Sequence, residues 1–126
     1  MTGLLVDSDI VIDYLRGLTS ARSFFEDAAK KFTLYLSVVT LVEIYSGKDI
    51  LESKKVRETE QLLTNFEISL ITPGIAKTAG GLRRDYGRPF VDAIIAATAL
   101  QFSFVMATRN IRHFQGIPGL KILQPY

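Results

Sequence analysis

Three acidic side chains stand in sequence surroundings where a carboxylate is costly to bury. Asp7 directly follows the apolar run 4–6, Glu43 interrupts an apolar helical segment, and Asp92 lies near the start of another. Buried carboxylates are rare without a partner. With no cysteine and one histidine in the chain, an acid-only site suits a hard divalent cation, Mg²⁺ or alternatively Mn²⁺. Such an ion activates water and stabilises phosphoryl oxygens, so these residues favour metal-assisted phosphodiester hydrolysis.

Each of these acids also has a structural alternative. Asp7 or Asp9 can cap the helix after the first strand by accepting backbone N–H bonds. Glu43 can face solvent or pair with Lys48. Asp92 can interact with the dipole of the helix whose first turn it occupies.

The composition is that of one globular, cytoplasmic domain spanning residues 1–126. Apolar residues make up 48% and charged residues 22% of the sequence. No apolar run approaches the ~18 residues that span a bilayer. The N-terminus lacks the basic region of a signal peptide.

The net charge supports a polyanionic partner only if the acids bind metal. The chain has 15 Lys and Arg against 13 Asp and Glu, a formal charge of +2. If Asp7, Asp9, Glu43 and Asp92 are neutralised by metal, nine acids remain, and the balance for the rest of the surface becomes about +6.

Strand-like and helical segments alternate along the chain, which predicts an α/β fold with a mostly parallel sheet. The predicted strands are 4–6, 33–37, 66–71, 104–107 and 120–123. Ligands bind outside the carboxyl ends of strands in such sheets. Asp7 follows the first strand and 108–110 follows the fourth, so both are expected at that edge.

Capping and turn residues mark the predicted helices between the strands. We expect Thr19 or Ser20 to cap the second helix, and Thr72 to cap a later helix that has Pro73 in its first turn and ends at Gly87. The residues expected on the buried stripe of that later helix are Ile75, Ala79, Leu82 and Tyr86. Segment 49–65 is expected to form an exposed amphipathic helix, and His113, in a short helix, is interpreted as structural.

Four segments occur in order along the chain: DSDIVIDYLRG at 7–17, SVVTLVEIYSG at 37–47, DAIIAATAL at 92–100 and ATRNIRHFQGIPGL at 107–120. With this order and spacing they resemble the PIN domain, and within it the VapC toxins of bacterial and archaeal toxin–antitoxin pairs. The resemblance covers nearly the whole chain. It implies a three-layer α/β/α fold around a central, mostly parallel sheet of four to five strands.

The resemblance also implies a set of site residues. The acids of the family correspond to Asp7, Glu43 and Asp92, as metal ligands and catalytic residues. The polar position after the fourth strand corresponds to Asn110, with Thr108 beside it, and both are expected to position water or phosphate. Many PIN domains have aspartate in place of Asn110, and the family often has Asn or Ser in place of Asp9.

The function implied by the resemblance is that of a Mg²⁺- or Mn²⁺-dependent endoribonuclease toxin that inhibits translation. A VapB-type antitoxin is expected to cover the active-site groove with its C-terminal segment, and the toxin is expected to form homodimers and toxin–antitoxin hetero-oligomers. Arg109, Arg112 and Arg84 are candidates for contacts with the RNA backbone.

Alternative functions remain open from the sequence. A PIN module that binds RNA without cutting it is one, because Asn110 contributes no charge to the site. A haloacid-dehalogenase-like phosphatase would use Asp7 as its nucleophile, but it needs a later acidic pair after a strand, and the sequence contains no Asp-Asp pair. A receiver domain needs an aspartate at the end of a middle strand, and segment 66–71 supplies none.

Overall fold

Five parallel strands form the central sheet of the computed structural model, which describes residues 1–126. The strands are β1 (Gly3–Val6), β2 (Thr33–Ser37), β3 (Glu67–Ser69), β4 (Val105–Ala107) and β5 (Lys121–Leu123). Their order across the sheet is β3-β2-β1-β4-β5. The predicted parallel sheet is confirmed, with five strands.

Seven α-helices connect and cover these strands. They are α1 (Ser8–Leu15), α2 (Thr19–Lys31), α3 (Val38–Tyr45), α4 (Ser53–Leu63), α5 (Pro73–Tyr86), α6 (Phe90–Phe102) and α7 (Ile111–Phe114). A 3₁₀ turn, Lys48–Leu51, precedes α4. None of the helices has the length and apolar character needed to cross a membrane.

Two apolar cores, one on each face of the sheet, define the three layers. Leu4 and Val6 pack on one face with residues of α1, α2 and α4, whereas Leu5 packs on the other face with α5, α6 and α7. Successive side chains of a strand point to opposite faces, so the buried residues of β1 contribute to both cores. The expected α/β/α architecture is therefore confirmed.

The order of the strands reverses at β1 and β4, which are neighbours in the sheet. From β1 the chain moves outward to β2 and β3, and it then returns to the other side of β1 to form β4 and β5. Val6 pairs with Ala107 in the register of β1 and β4. The residues that follow this pair therefore meet at the switch in strand order, where open α/β sheets bind ligands.

Three expectations about the helices were wrong. Neither Thr19 nor Ser20 caps α2: Thr19 is already its first helical residue, and the capping position is occupied by Leu18, which has no side-chain acceptor. Tyr86 is 45% exposed and lies outside the buried stripe of α5. Its hydroxyl has no protein partner, and exposure lets water satisfy it.

The third expectation concerned a single helix over 49–65, which the structure divides into the 3₁₀ turn and α4. The third strand is also shorter than predicted, at Glu67–Ser69. This strand, β3, is the outermost strand on one side of the sheet, and the following Leu70 is 66% exposed. By contrast, Thr72 caps α5 by accepting the N–H of Ile75 at 3.2 Å, as predicted.

Candidate active site

Asp7 is the most enclosed acid at the carboxyl edge of the sheet, with 8% of its surface exposed. It is the N-cap residue of α1, and its Oδ1 accepts the N–H of Ser8 at 2.8 Å. Its Oδ2 accepts the hydroxyl of Thr108 at 2.8 Å. Burial raises the pKa of Asp7, and these two hydrogen bonds partly oppose that effect by favouring the ionised form. Asp7 therefore caps α1, which was one of the roles considered from the sequence. It also lies at the carboxyl end of β1, where a metal ligand was expected.

Thr108 connects the end of β4 to the end of β1. Its side chain is fully buried, and its hydroxyl accepts the backbone N–H of Asn110 at 3.0 Å while it donates to Asp7. A hydroxyl has the one donor and two acceptor sites that this requires. The turn after β4 is thus folded back over the Asp7 carboxylate.

Asp9 lies beside Asp7 and contacts the same turn. Its Oδ2 accepts the backbone N–H of Arg109 at 3.1 Å and the side-chain amide of Asn110 at 3.4 Å. Its Oδ1 is buried and has no hydrogen-bond partner. Burial, followed by the neighbouring charge of Asp7, raises the pKa of Asp9 to about 6.

Glu43 reaches the same edge from α3. Burial raises the pKa of its carboxyl, the side chain of Ser8 lowers it, and the negative charges of Asp7 and Asp92 raise it further. Its Oε1 is buried without a hydrogen-bond partner. Glu43 forms no ion pair with Lys48 or any other residue, so the pairing considered from the sequence is absent.

Asp92 lies in the first turn of α6, and its charge raises the pKa of both Asp7 and Glu43. The hydrogen-bond partner of its carboxylate is the imidazole of His113, with 3.1 Å between Oδ2 and Nδ1. The sequence interpretation of His113 as structural did not include this contact. The signal available was its position one helical turn after Asn110, on the short α7.

The candidate RNA-binding arginines differ in their surroundings. Arg109 forms an ion pair with Asp13, with 2.7 Å between Nη1 and Oδ2, and its guanidinium lies 5.3 Å from the ring centre of Tyr126. Arg84 pairs with its neighbour Asp85 at 2.9 Å. Arg112 is exposed on α7 and forms no ion pair.

Tyr126 completes a cluster that the sequence analysis did not anticipate. Its hydroxyl donates to Asp13 Oδ2 at 2.7 Å, the same oxygen that accepts Arg109. These bonds lower the pKa of Asp13 against the opposing effect of burial. The C-terminal residue thereby attaches to α1 and to the turn after β4. Only the tertiary structure brings these three positions together.

The acids at this edge fit a hard cation by their chemistry. Asp9 Oδ1 and Glu43 Oε1 are buried oxygens without donors, and the pKa values of Asp7, Asp9 and Glu43 are all raised. An added cation would relieve both features. No three Asp, Glu or His side chains converge closely enough to form a metal site by themselves.

A family model describing the PIN domain matches residues 4–120 of this sequence. The chain belongs to the PIN-domain family. The matched range contains all of the acids described above and the turn after β4. The resemblance inferred from the four sequence segments is thereby confirmed, and so is the fold that it implied.

Relatives of this PIN domain include ribonuclease VapC10 of Mycobacterium tuberculosis, with 37% identity over 123 residues that cover 94% of this chain and 90% of the relative. Ribonuclease VapC of Rickettsia bellii is 31% identical, covering 96% and 95%. Among solved structures, a toxin–antitoxin complex from Klebsiella pneumoniae contains a chain with a TM-score of 0.83 and 32% identity, covering 98% of each chain.

Proposed function

We propose that this chain is a Mg²⁺- or Mn²⁺-dependent endoribonuclease and the toxin of a type II toxin–antitoxin pair. The relatives named as VapC ribonucleases support the ribonuclease assignment, since they match this PIN domain over nearly its full length. The whole of residues 1–126 acts as one catalytic domain in this proposal. Hydrolysis of cellular RNA is the step by which it inhibits translation.

The observation that carries the metal assignment is the group of incompletely paired acids at the switch between β1 and β4. Asp7 and Asp92 both raise the pKa of Glu43, and Glu43 Oε1 has no donor of its own. A protein that used these acids only for folding would gain by pairing or replacing them. Their position at the carboxyl ends of the strands is the expected arrangement of a cation site.

Asp7, Glu43 and Asp92 are the residues that would hold the cation. When bound, a divalent ion lowers the pKa of a water ligand and stabilises the charge that develops on phosphodiester oxygens. Ser8 and Thr108 favour the ionised form of Asp7, which a metal ligand requires. The amide of Asn110 is oriented by Asp9 and is available to position water or phosphate.

Arg112 is the best placed of the three candidate arginines for a phosphate of the RNA. It is exposed on α7, which follows the turn that contacts Asp7 and Asp9, and no acid neutralises it. Arg109 and Arg84 already pair with carboxylates, so binding a phosphate there must first displace an acid.

A VapB-type antitoxin is the partner that this assignment predicts. Solved neighbours with this fold include VapBC2 of Rickettsia felis bound to promoter DNA, with a TM-score of 0.83 and 21% identity over 96% of this chain and 97% of that chain. The Klebsiella pneumoniae structure is likewise a toxin–antitoxin complex. We propose that this chain forms a homodimer and a toxin–antitoxin hetero-oligomer in the cytoplasm, where its RNA substrate is found.

The test is cleavage of total cellular RNA by antitoxin-free protein, with Mg²⁺, Mn²⁺ or EDTA. The variant is Asp7→Asn, and the matched control is Asp27→Asn, which neutralises an exposed acid on α2. We expect discrete fragments from the native protein and the control, only with metal present. Asp7→Asn should cleave at least about 100-fold more slowly.

Two results would count against the proposal. Cleavage that persists in EDTA would remove the metal requirement. RNA binding without cleavage by metal-loaded protein would favour the non-catalytic module considered from the sequence.

A further inference from the structure

We propose that His113 positions the Asp92 carboxylate for metal binding. The imidazole Nδ1 and Asp92 Oδ2 are 3.1 Å apart, and Asp92 makes no other hydrogen bond. The Asp92 side chain is 20% exposed, and that of His113 is 54% exposed. The inference rests on the proposed function, because it takes Asp92 as a metal ligand.

The direction of the hydrogen bond follows from the chemistry of the two groups. An ionised carboxylate can only accept, so Nδ1 carries the proton and donates to Asp92. The bond occupies one oxygen of Asp92 and leaves the other without a protein partner. The negative charge of Asp92 raises the pKa of both Asp7 and Glu43, although the three carboxylates do not converge into a metal site by themselves.

The short helix α7 does not need this bond to stay in place. Arg88 donates to the carbonyl oxygens of His113 at 3.2 Å and Gln115 at 2.7 Å, which holds the end of α7 against the segment that enters α6. Phe114 is 1% exposed and packs in the core on that side of the sheet. Since the backbone is fixed independently, the side chain of His113 is left to orient Asp92.

Outer-shell groups of this kind restrict a ligand to the orientation in which it binds. A carboxylate that is free to rotate must be ordered when the ion arrives, and that cost lowers affinity. Losing such a partner typically weakens metal binding or activity by about 10- to 100-fold. His113 is therefore a positioning residue, acting through Asp92.

Three substitutions separate the hydrogen bond from the bulk of the ring. His113→Asn retains a donor at the place of Nδ1, His113→Gln places its donor near Nε2 instead, and His113→Leu has no donor. The primary readout is the Mn²⁺ dissociation constant by titration calorimetry on the full-length, antitoxin-free chain. Thermal unfolding in EDTA is recorded for each variant to separate folding from affinity.

We expect His113→Leu and His113→Gln to bind Mn²⁺ about 10-fold more weakly, and His113→Asn to stay within about threefold of the native protein. Equal affinity for all three variants and the native chain would overturn the inference. An equal loss of Mn²⁺ affinity in all three variants would also overturn it, because a donor at the place of Nδ1 would then give no advantage. If His113→Leu does not fold, the Mn²⁺ affinities of His113→Asn and His113→Gln are compared. Tighter binding by His113→Asn supports the inference, and equal binding overturns it.

Asp92→Asn distinguishes failure of this inference from failure of the proposed function. If Asp92→Asn loses Mn²⁺ binding while His113→Leu retains it, only the positioning role is wrong. If Asp92→Asn binds Mn²⁺ normally, Asp92 is not a ligand, and both assignments fall together.

Discussion

The hydroxyl of Thr108 donates a 2.8 Å hydrogen bond to the carboxylate of Asp7, across 101 residues of sequence. The bond forms because β1 and β4 are adjacent in the sheet and end at the same level, where Val6 pairs with Ala107. Burial penalises the charge of Asp7, and this donor offsets part of the penalty. The pair thus links the sheet topology to the protonation state of the candidate metal ligand.

Thr108→Val should reduce both stability and activity. The change leaves the Asp7 carboxylate short of a donor and the N–H of Asn110 short of an acceptor, at a cost of about 1–3 kcal/mol in the free energy of unfolding. The pKa of Asp7 should rise further, so the acidic limb of the pH–rate profile should move to higher pH. Urea unfolding and cleavage rates over a pH series measure the two effects.

Thr98→Val is the matched control for that experiment. Thr98 is also buried, but its hydroxyl donates to the carbonyl oxygen of Ile94 within α6. We expect a cost of about 1 kcal/mol or less and an unchanged pH–rate profile. If both variants gave the same profile as the native protein, Thr108 would have no influence on Asp7.

The metal-free protein should lose stability as the pH rises from about 4 to about 6. The pKa of Asp9 is raised from 3.8 to about 6, so in this range the folded state binds more protons than the unfolded state. The raised pKa of Asp9 changes the free energy of unfolding by about 1–2 kcal/mol over this pH range, after allowance for the partial exposure of the side chain. The raised pKa values of Asp7 and Glu43 act in the same direction. Thermal unfolding in EDTA across this pH range measures the trend.

Asp9→Asn isolates the contribution of that one acid. The variant should unfold at a higher temperature than the native protein at pH 7 in EDTA, and its dependence on pH should be weaker. Asp27→Asn, at an exposed position on α2, should leave the trend unchanged. Stability that rises between pH 4 and pH 6 would contradict the raised pKa values.

Much of this fold could be predicted from local patterns, because each of those patterns has a direct physical cause. The apolar run before Asp7 forms β1, and Thr72 with Pro73 begins α5. Gly87 ends α5 with φ of 63°, a left-handed conformation that glycine adopts without strain. These features depend on neighbours in sequence, so the sequence alone reveals them.

The missing parts of the site depend on contacts between distant segments. His113 meets Asp92 across 21 residues, and Tyr126 meets Asp13 across 113. Neither pair has a local signature, since a histidine on a short helix and a tyrosine at a chain end fit many surroundings. The position of Arg109 was predicted near the site, but its pairing with Asp13 follows only from the adjacency of β1 and β4, whose following segments contain these two residues.

Asn110→Asp should tighten metal binding and destabilise the metal-free protein. The amide nitrogen of Asn110 is 3.4 Å from Asp9 Oδ2, so the variant places a second negative charge beside Asp9. Like charges at that separation repel by about 1–4 kcal/mol, depending on local screening. We expect a lower melting temperature in EDTA and a Mn²⁺ dissociation constant reduced about 10-fold. Asn65→Asp, at an exposed residue after α4, is the control for the Mn²⁺ affinity only, because the Asn65 amide donates to the carbonyl oxygen of Leu62 and its loss affects stability.

Arg112→Gln should weaken RNA binding and make it less dependent on salt. One lost phosphate contact reduces the slope of log affinity against log salt by about 0.7–1. Lys30→Gln is the control. Lys30 lies just before the amino end of β2, whereas the acids lie at the carboxyl ends of the strands. Binding is measured with the Asp7→Asn background to prevent cleavage. An unchanged slope would exclude Arg112 from the RNA-binding surface.

Titration of Mn²⁺ into the antitoxin-free protein, followed by electron paramagnetic resonance, tests most directly whether these acids form a metal site. The decisive variant is Glu43→Gln, which removes the charge of a carboxylate whose buried Oε1 has no donor. Glu60→Gln, at an exposed position on α4, is the control. We expect Mn²⁺ to bind the native chain and the control with the same affinity and Glu43→Gln at least about 10-fold more weakly. Equal affinity for all three proteins would contradict the proposed metal site.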